Sequence, residues 1–293
     1  MTILTTILAL SFSASIEQYY GGKQAAVSFT YDDAVIDQYT LVAPRLDEQG
    51  IPGTFFVIGN GLGYSESSGM TWAQVEDLSR RGHLIANHTW THRRLSSLSD
   101  DEIREELNRL DDSIAVHTGH RPLVVATPFN ETDSRLKAII LENHIGLRTS
   151  QAGQGQGKAF GQGSRYATLP GMKAWLDRII ERGEWGVTMT HGIRSGWDKW
   201  ENEEEYWDFI RYAGSKSDEV WYATFEAVCA YEAERDACTL ETKRAGRTVI
   251  ITPHCSLPAE RYSQPLTVRV SLGNETRLVD VNPFGGPVKV KFR

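Results

Sequence analysis

A chain of 293 residues with 40% hydrophobic and 24% charged residues has the length for one large domain plus a small appendage. Its balance is that of a globular protein, which excludes disordered, collagenous and multi-span membrane classes. With 31 Lys and Arg against 38 Asp and Glu, net −7, it lacks the basic footprint of a nucleic-acid binder.

The first fifteen residues hold an uncharged apolar stretch the length of a signal-peptide core, with Ser13 and Ser15 placed for cleavage. Export to the periplasm or beyond is therefore expected. A buried first strand or helix is the other reading, because no Lys or Arg precedes the run. No later segment approaches the roughly 18 apolar residues of a membrane helix, so no integral span is expected. Ala25–Thr30 and Thr54–Ile58 are short apolar runs that predict buried strands, and Val35–Gln49 between them has helical spacing that stops at Gly50. Thr71 with Gln74, and Ser99 with Glu102, are capping-box pairs that start two further helices. The second carries Ile103, Leu107, Leu110 and Ile114 as one apolar stripe and should end near Gly119.

Further along, His83–Asn87, Leu123–Ala126, Ile145–Leu147, Gly186–Thr190 and Glu219–Tyr222 read as strands. They alternate with helical stretches at Ser134–Asn143, Met172–Arg182 and Phe225–Arg235. About seven such repeats predict an α/β fold, a mostly parallel sheet curled into a distorted (β/α) barrel. Gln151–Gly163, rich in Gly and Gln, reads as a mobile loop. After Lys243 the helical period disappears, and Thr248–Thr252, Leu266–Leu272, Thr276–Val281 and Val288–Phe292, with a Gly273-Asn274 hairpin signal, predict a small all-β appendage. The expected division is a leader at 1–15, a barrel at 16–243 and a β-rich domain at 244–293. Cys229, Cys238 and Cys255 are too few for a disulfide scaffold or a cysteine-based zinc site and allow one bridge at most. Joining Cys229 to Cys238 would require a sharp reversal after a helix, so free thiols are expected.

Chemistry concentrates at the predicted strand ends. Asp32-Asp33 closes the first barrel strand, where barrel folds place catalytic groups. His88 and His92 follow the third strand four residues apart, a spacing that lets both imidazoles reach one ion. One carboxylate and two imidazoles leave a coordination position open, as a catalytic metal requires. Zinc is the first choice for that set, with cobalt, nickel or iron fitting the same ligands. His191 ends another strand, where a general acid would face the same mouth. Asp100-Asp101 and Asp111-Asp112 read as solvated helix surface, and His117, His120, His144 and His254 as structural. Trp197 and Trp200, just past His191, offer flat faces on which a sugar ring could stack.

Over Ala25–Arg235 these motifs resemble the polysaccharide deacetylases of the NodB-homology family, carbohydrate esterase family 4. Thr30-Tyr31-Asp32-Asp33 is similar to the family's T-F/Y-D-D motif, which implies Asp32 as base and Asp33 as metal ligand. His88-Thr-Trp-Thr-His92 is similar to its H-S/T-x-x-H motif and completes the implied metal triad. Met189-Thr190-His191 is similar to the late L-x-H motif, making His191 the implied acid. Ala126-Thr127-Pro128-Phe129 keeps the Pro and aromatic of the third motif but loses its Arg. That loss puts the orientation of Asp32 in question, while the Phe129 backbone N–H after Pro128 remains the implied oxyanion donor. The fourth motif has no clear counterpart; Arg148 is one substitute for it. The resemblance implies a metal-dependent hydrolase that removes N- or O-linked acetyl groups from a polysaccharide or oligosaccharide. A glycan-binding pseudoenzyme and a small-molecule amide hydrolase are the alternatives.

Overall fold

In the computed structural model, residues 11–62, 69–149, 156–160, 168–196 and 200–293 are described. They fall into two compact units, one of Gln24–Cys229 and one of the residues up to Lys23 with Ala230–Arg293. Strand β1 (Phe12–Ile16) belongs to the second unit. The first unit is built on β2 (Ala25–Asp32), whose eight residues are all buried. Its parallel neighbours are β3 (Gly53–Val57), β4 (Leu84–Asn87), β5 (Val124–Ala126) and β6 (Gly146–Arg148) on one side. On the other lie β8 (Trp185–Thr190) and β7 (Gln156–Phe160), giving the order β6-β5-β4-β3-β2-β8-β7. An eighth strand, β9 (Val220–Tyr222), pairs with Ala25–Val27 of β2, while β3 pairs with Phe29–Asp32. Because β6 and β7 do not pair among the described residues, the sheet is a partial, distorted barrel open on one side.

The connecting helices form where the sequence predicts them, apart from one at Glu203–Gly214 that the sequence reading did not name. A π-helical turn at Gln38–Val42 leads into α1 (Ala43–Glu48). Both capping boxes are made: Thr71 opens α2 (Trp72–Arg80) and Ser99 opens α3 (Asp100–Thr118), which Gly119 ends in the left-handed conformation. Then come α4 (Ser134–Ile140), α5 (Leu169–Arg182), α6 (Glu203–Gly214) and α7 (Phe225–Ala237). Apolar faces of α1, α2, α3, α5 and α6 meet the sheet in a core that includes Val27, Phe29, Phe55, Ile85, Leu110, Leu176 and Phe209, while α4 packs with α3 in a second cluster around Leu107, Leu136 and Ile140. Strands β2 and β3, buried at every position, carry apolar residues on both faces, so their runs are continuous rather than alternating.

In the second unit, β10 (Cys238–Ala245) and β11 (Thr248–Cys255) form an antiparallel hairpin joined by β14 (Val288–Lys291). Strand β12 (Leu266–Leu272) lies between β1 and β13 (Glu275–Val281). These pairings correct several expectations. Residues 1–10 lie outside the described residues, but Phe12–Ile16, expected in the leader through Ser15, pairs in register with Val268–Leu272. The β unit also starts before 244, because β10 begins at Cys238 and draws the second half of α7 with it. Cys238 and Cys255 sit directly opposite each other across the hairpin and are disulfide-bonded, which leaves Cys229 outside the bridge. The sequence reading weighed the neighbour in sequence, Cys229, whereas the pairing is fixed by strand register. Gln156–Phe160, inside the segment expected to be a loop, is a strand beside β8; the rest of that segment lies outside the described residues.

Candidate active site

Three strand ends converge at one mouth. At the end of β2, the Asp33 N–H donates to Phe56 O at 3.1 Å and the chain turns through Asp33 and Ala34 with φ of 72° and 54°. Beyond β4, Thr89 and His92 have φ of 69° and 56°, and beyond β5, Phe129 and Asn130 have 58° and 55°. These are the six non-glycine residues with positive φ among the described residues, and all follow the ends of β2, β4 and β5. Left-handed backbone at ordinary residues is unfavourable, and such strain gathers where side chains must be aimed against local preference.

The aim produces a cluster that could hold a metal ion. His88 Nε2 is 3.3 Å and His92 Nε2 3.5 Å from Asp33 Oδ1, and the ligand atoms of the three residues lie within 4.8 Å of one another. Tetrahedral zinc with bonds of about 2.0–2.1 Å separates its ligand atoms by roughly 3.3 Å, so the spacing suits such an ion. Two further observations fit. Asp33 Oδ1 is buried with no hydrogen-bond partner. His88 Nδ1 is 2.7 Å from Ala126 O, a pure acceptor, so Nδ1 carries the proton and Nε2 presents its lone pair. Burial pushes the Asp33 carboxyl up, but the His88 imidazole, with His191 and His92, outweighs it and holds it below the usual range. Burial, with His88 beside it, keeps His92 below its ordinary value and therefore neutral, the form that ligates.

Asp32 stands beside this cluster, 3% exposed, its Oδ2 4.0 Å from His88 Nε2. Arg148 Nη2 donates to the same Oδ2 from a wholly buried position at the end of β6. Ala126 and Arg148 are register partners on β5 and β6. The cation absent at Ala126 thus reaches the carboxylate from the adjacent strand, and Arg148 serves Asp32 rather than the fourth motif for which the sequence suggested it. His191 follows β8, with Nε2 3.8 Å from Asp33 Oδ2. Pro128 is buried, whereas the Phe129 ring is 52% exposed, 4.9 Å from the His92 ring and beneath the Arg94 guanidinium at 4.4 Å. Trp197 lies outside the described residues. Trp200 is buried against Tyr206 with ring centroids 4.5 Å apart, so it is core rather than a stacking platform.

A buried polar shell behind the histidines escaped the sequence reading. Asn87 Nδ2 donates to Asp111 Oδ1 at 2.6 Å and to Leu107 O at 2.9 Å, while its Oδ1 accepts the Thr89 N–H at 2.7 Å. His144 Nε2 meets Asp111 Oδ2 at 3.0 Å. Glu106 accepts from Thr91 N and Oγ1 at 2.7 and 2.6 Å. Asp111 is therefore not the solvated surface residue expected, and His144 joins a network. A signal existed: Asp111 follows Leu107 by four residues and precedes Ile114 by three, which places it on the apolar stripe of α3.

Residues 20–147 match the family model for polysaccharide deacetylase. A peptidoglycan-N-acetylglucosamine deacetylase of Bacillus cereus is 26% identical over 130 residues, 44% of this chain and 42% of that protein. Chitin deacetylase 1 of Cryptococcus neoformans is 34% identical over 110 residues, 38% of this chain and 22% of that protein. The chain thus spans less than half the length of these curated relatives. A solved structure from Mycobacterium smegmatis shares the fold with a TM-score of 0.54 at 19% identity, covering 75% of this chain and 93% of that one. A carbohydrate esterase family 4 pseudoenzyme from Bacillus anthracis does so at 0.50 and 16%, covering 67% and 63%. The match to polysaccharide deacetylases thus covers residues 20–147, the stretch that holds the Asp-Asp and His-x-x-x-His motifs, and the partial barrel is the fold of these solved structures.

Proposed function

We propose that this chain is a metal-dependent deacetylase that removes N- or O-linked acetyl groups from a polysaccharide or oligosaccharide. The observation that carries this is a second carboxylate, Asp32, fixed by Arg148 beside the Asp33, His88 and His92 donor set. A divalent ion bound there, zinc first, would act as a Lewis acid toward the acetyl carbonyl and make water more acidic. Asp32 takes the proton of the attacking water as general base, and its second oxygen, Oδ1, is buried with no other partner. As the acetyl carbon becomes tetrahedral, the Phe129 N–H donates to the oxygen that gains negative charge. His191 then gives a proton to the departing sugar amine or alcohol, and acetate is released. The names of the relatives favour acetylated amino-sugar polymers as substrates. Export is supported by the Cys238–Cys255 disulfide, since such bonds persist in oxidising compartments.

Purified protein supplied with zinc or cobalt should release acetate from chitin oligomers, peptidoglycan fragments or acetylated xylan, and a chelator should stop it. Asp32→Asn should lower the rate by about 100- to 10,000-fold without altering circular dichroism. Metal-loaded protein that binds these glycans without releasing acetate would make the chain a glycan-binding pseudoenzyme instead.

A further inference from the structure

The segment just after the Asp32-Asp33 turn is unusual. Asp37 and Gln38, at the entrance of the π-helical turn, are buried polar residues outside the proposed metal-ligand set. Gln38 Nε2 donates to two main-chain carbonyls, Asp32 O and, at 2.6 Å, His191 O. Carbonyl oxygens only accept, so the amide's orientation is forced. Its Oε1 is buried without a partner. An apolar side chain of equal size would fill this space without that penalty, so filling space does not explain the residue.

The place of the contact is informative. Parallel pairing of β2 with β8 ends at Tyr31 and Thr190. The next pair in register would be Asp32 with His191. Gln38 ties those two residues through a side chain where the backbone ladder stops, adding a rung between the proposed base and acid. Asp37 secures the far side: its Oδ2 accepts the N–H groups of Ile193, Arg194 and Ser195 at 3.1, 2.7 and 2.8 Å and the Ser195 hydroxyl at 2.9 Å. Burial pushes this carboxyl up, but those donors outweigh it and hold it below the usual range. The loop leaving His191 is therefore gathered onto a lasting negative charge.

We propose that Asp37 and Gln38 are positioning residues that hold His191 in proton-transfer register with Asp32. This rests on the deacetylase reading, in which His191 protonates the leaving group.

Such a role has a signature that general loosening does not. Departure of a sugar amine needs the proton from His191, whereas a nitrophenolate leaves without one. Gln38→Met should cut kcat on acetylated chitin oligomers by about tenfold or more with KM within about threefold, while its rate on nitrophenyl acetate stays within about threefold of wild type. His191→Ala should show the same split. Cobalt titration should give unchanged metal affinity in Gln38→Met. Independently of turnover, Asp37→Asn should speed amide hydrogen exchange at residues 193–195. Equal loss on both acetyl donors, an unchanged kcat on the oligomers, or unchanged exchange would overturn the assignment. If the wild-type protein released no acetate from any glycan, the deacetylase reading would fail, and the exchange measurement would still decide whether Asp37 holds the loop.

Discussion

Arg148 and Asp32 lie 116 residues apart in sequence, yet form a buried ion pair. Breaking such a pair leaves one charge buried alone and costs about 3–5 kcal/mol. Arg148→Met should therefore both destabilise the protein and slow acetate release by about tenfold or more. Because register partners on parallel strands project to the same face, Ala126→Arg placed in that background should recover part of both losses. Urea unfolding and kcat/KM measured on the three proteins would check this; no recovery in either quantity would mean that position 126 cannot deliver a cation to Asp32. The candidate ligands Asp33, His88 and His92 were legible as residue types at a set spacing. Arg148 was not, because its meaning depends on which strand lies beside β5, and a linear pattern does not carry that information.

Helix α3 shows how an element far from the mouth governs it. One face of the helix feeds the core through Ile103, Leu107 and Leu110, and the same face sends Asp111 to Asn87 and Glu106 to Thr91. The loop bearing His88 and His92 is thereby gripped at both ends. Removing a partner of a ligand-bearing loop typically lowers metal affinity by about 10- to 100-fold. Asn87→Ala should do so, read by competition with a chromogenic chelator, while Glu226→Gln, on α7, should leave affinity unchanged. The capping boxes and the apolar stripe made α3 predictable in extent. Its polar contribution was hidden because a charged residue next to an apolar stripe looks solvated until its buried partner is known.

At the scale of the whole molecule, alternation of strand and helix announced the barrel unit, and loss of helical period announced the β unit. Their limits were misjudged because strand partners, β1 with β12 and Cys238 with Cys255, come from distant sequence. A staple closing about 17 residues contributes about 3 kcal/mol in the chain-entropy account. The β unit also carries a pH dependence. Burial pushes Glu234 up to about 7, against a hydrogen bond from Gln264 N that pulls it down. The folded state thus binds a proton that the unfolded chain has released by about pH 5, so this group's stabilisation is complete below its ordinary carboxylate range and is lost as pH rises to about 7. Wild-type stability to urea should fall by about 2–3 kcal/mol between pH 5 and pH 8 from this residue, and Glu234→Gln should flatten the profile.

The six left-handed residues that follow β2, β4 and β5 have an evolutionary corollary. Glycine would relax Ala34 or Asn130 at no steric cost, so selection for heat tolerance alone would be drawn to the same arcs that aim Asp33 and Phe129. Lineages kept under selection for turnover should retain bulkier residues at these bends, and hardened variants carrying glycine there should last longer but work more slowly.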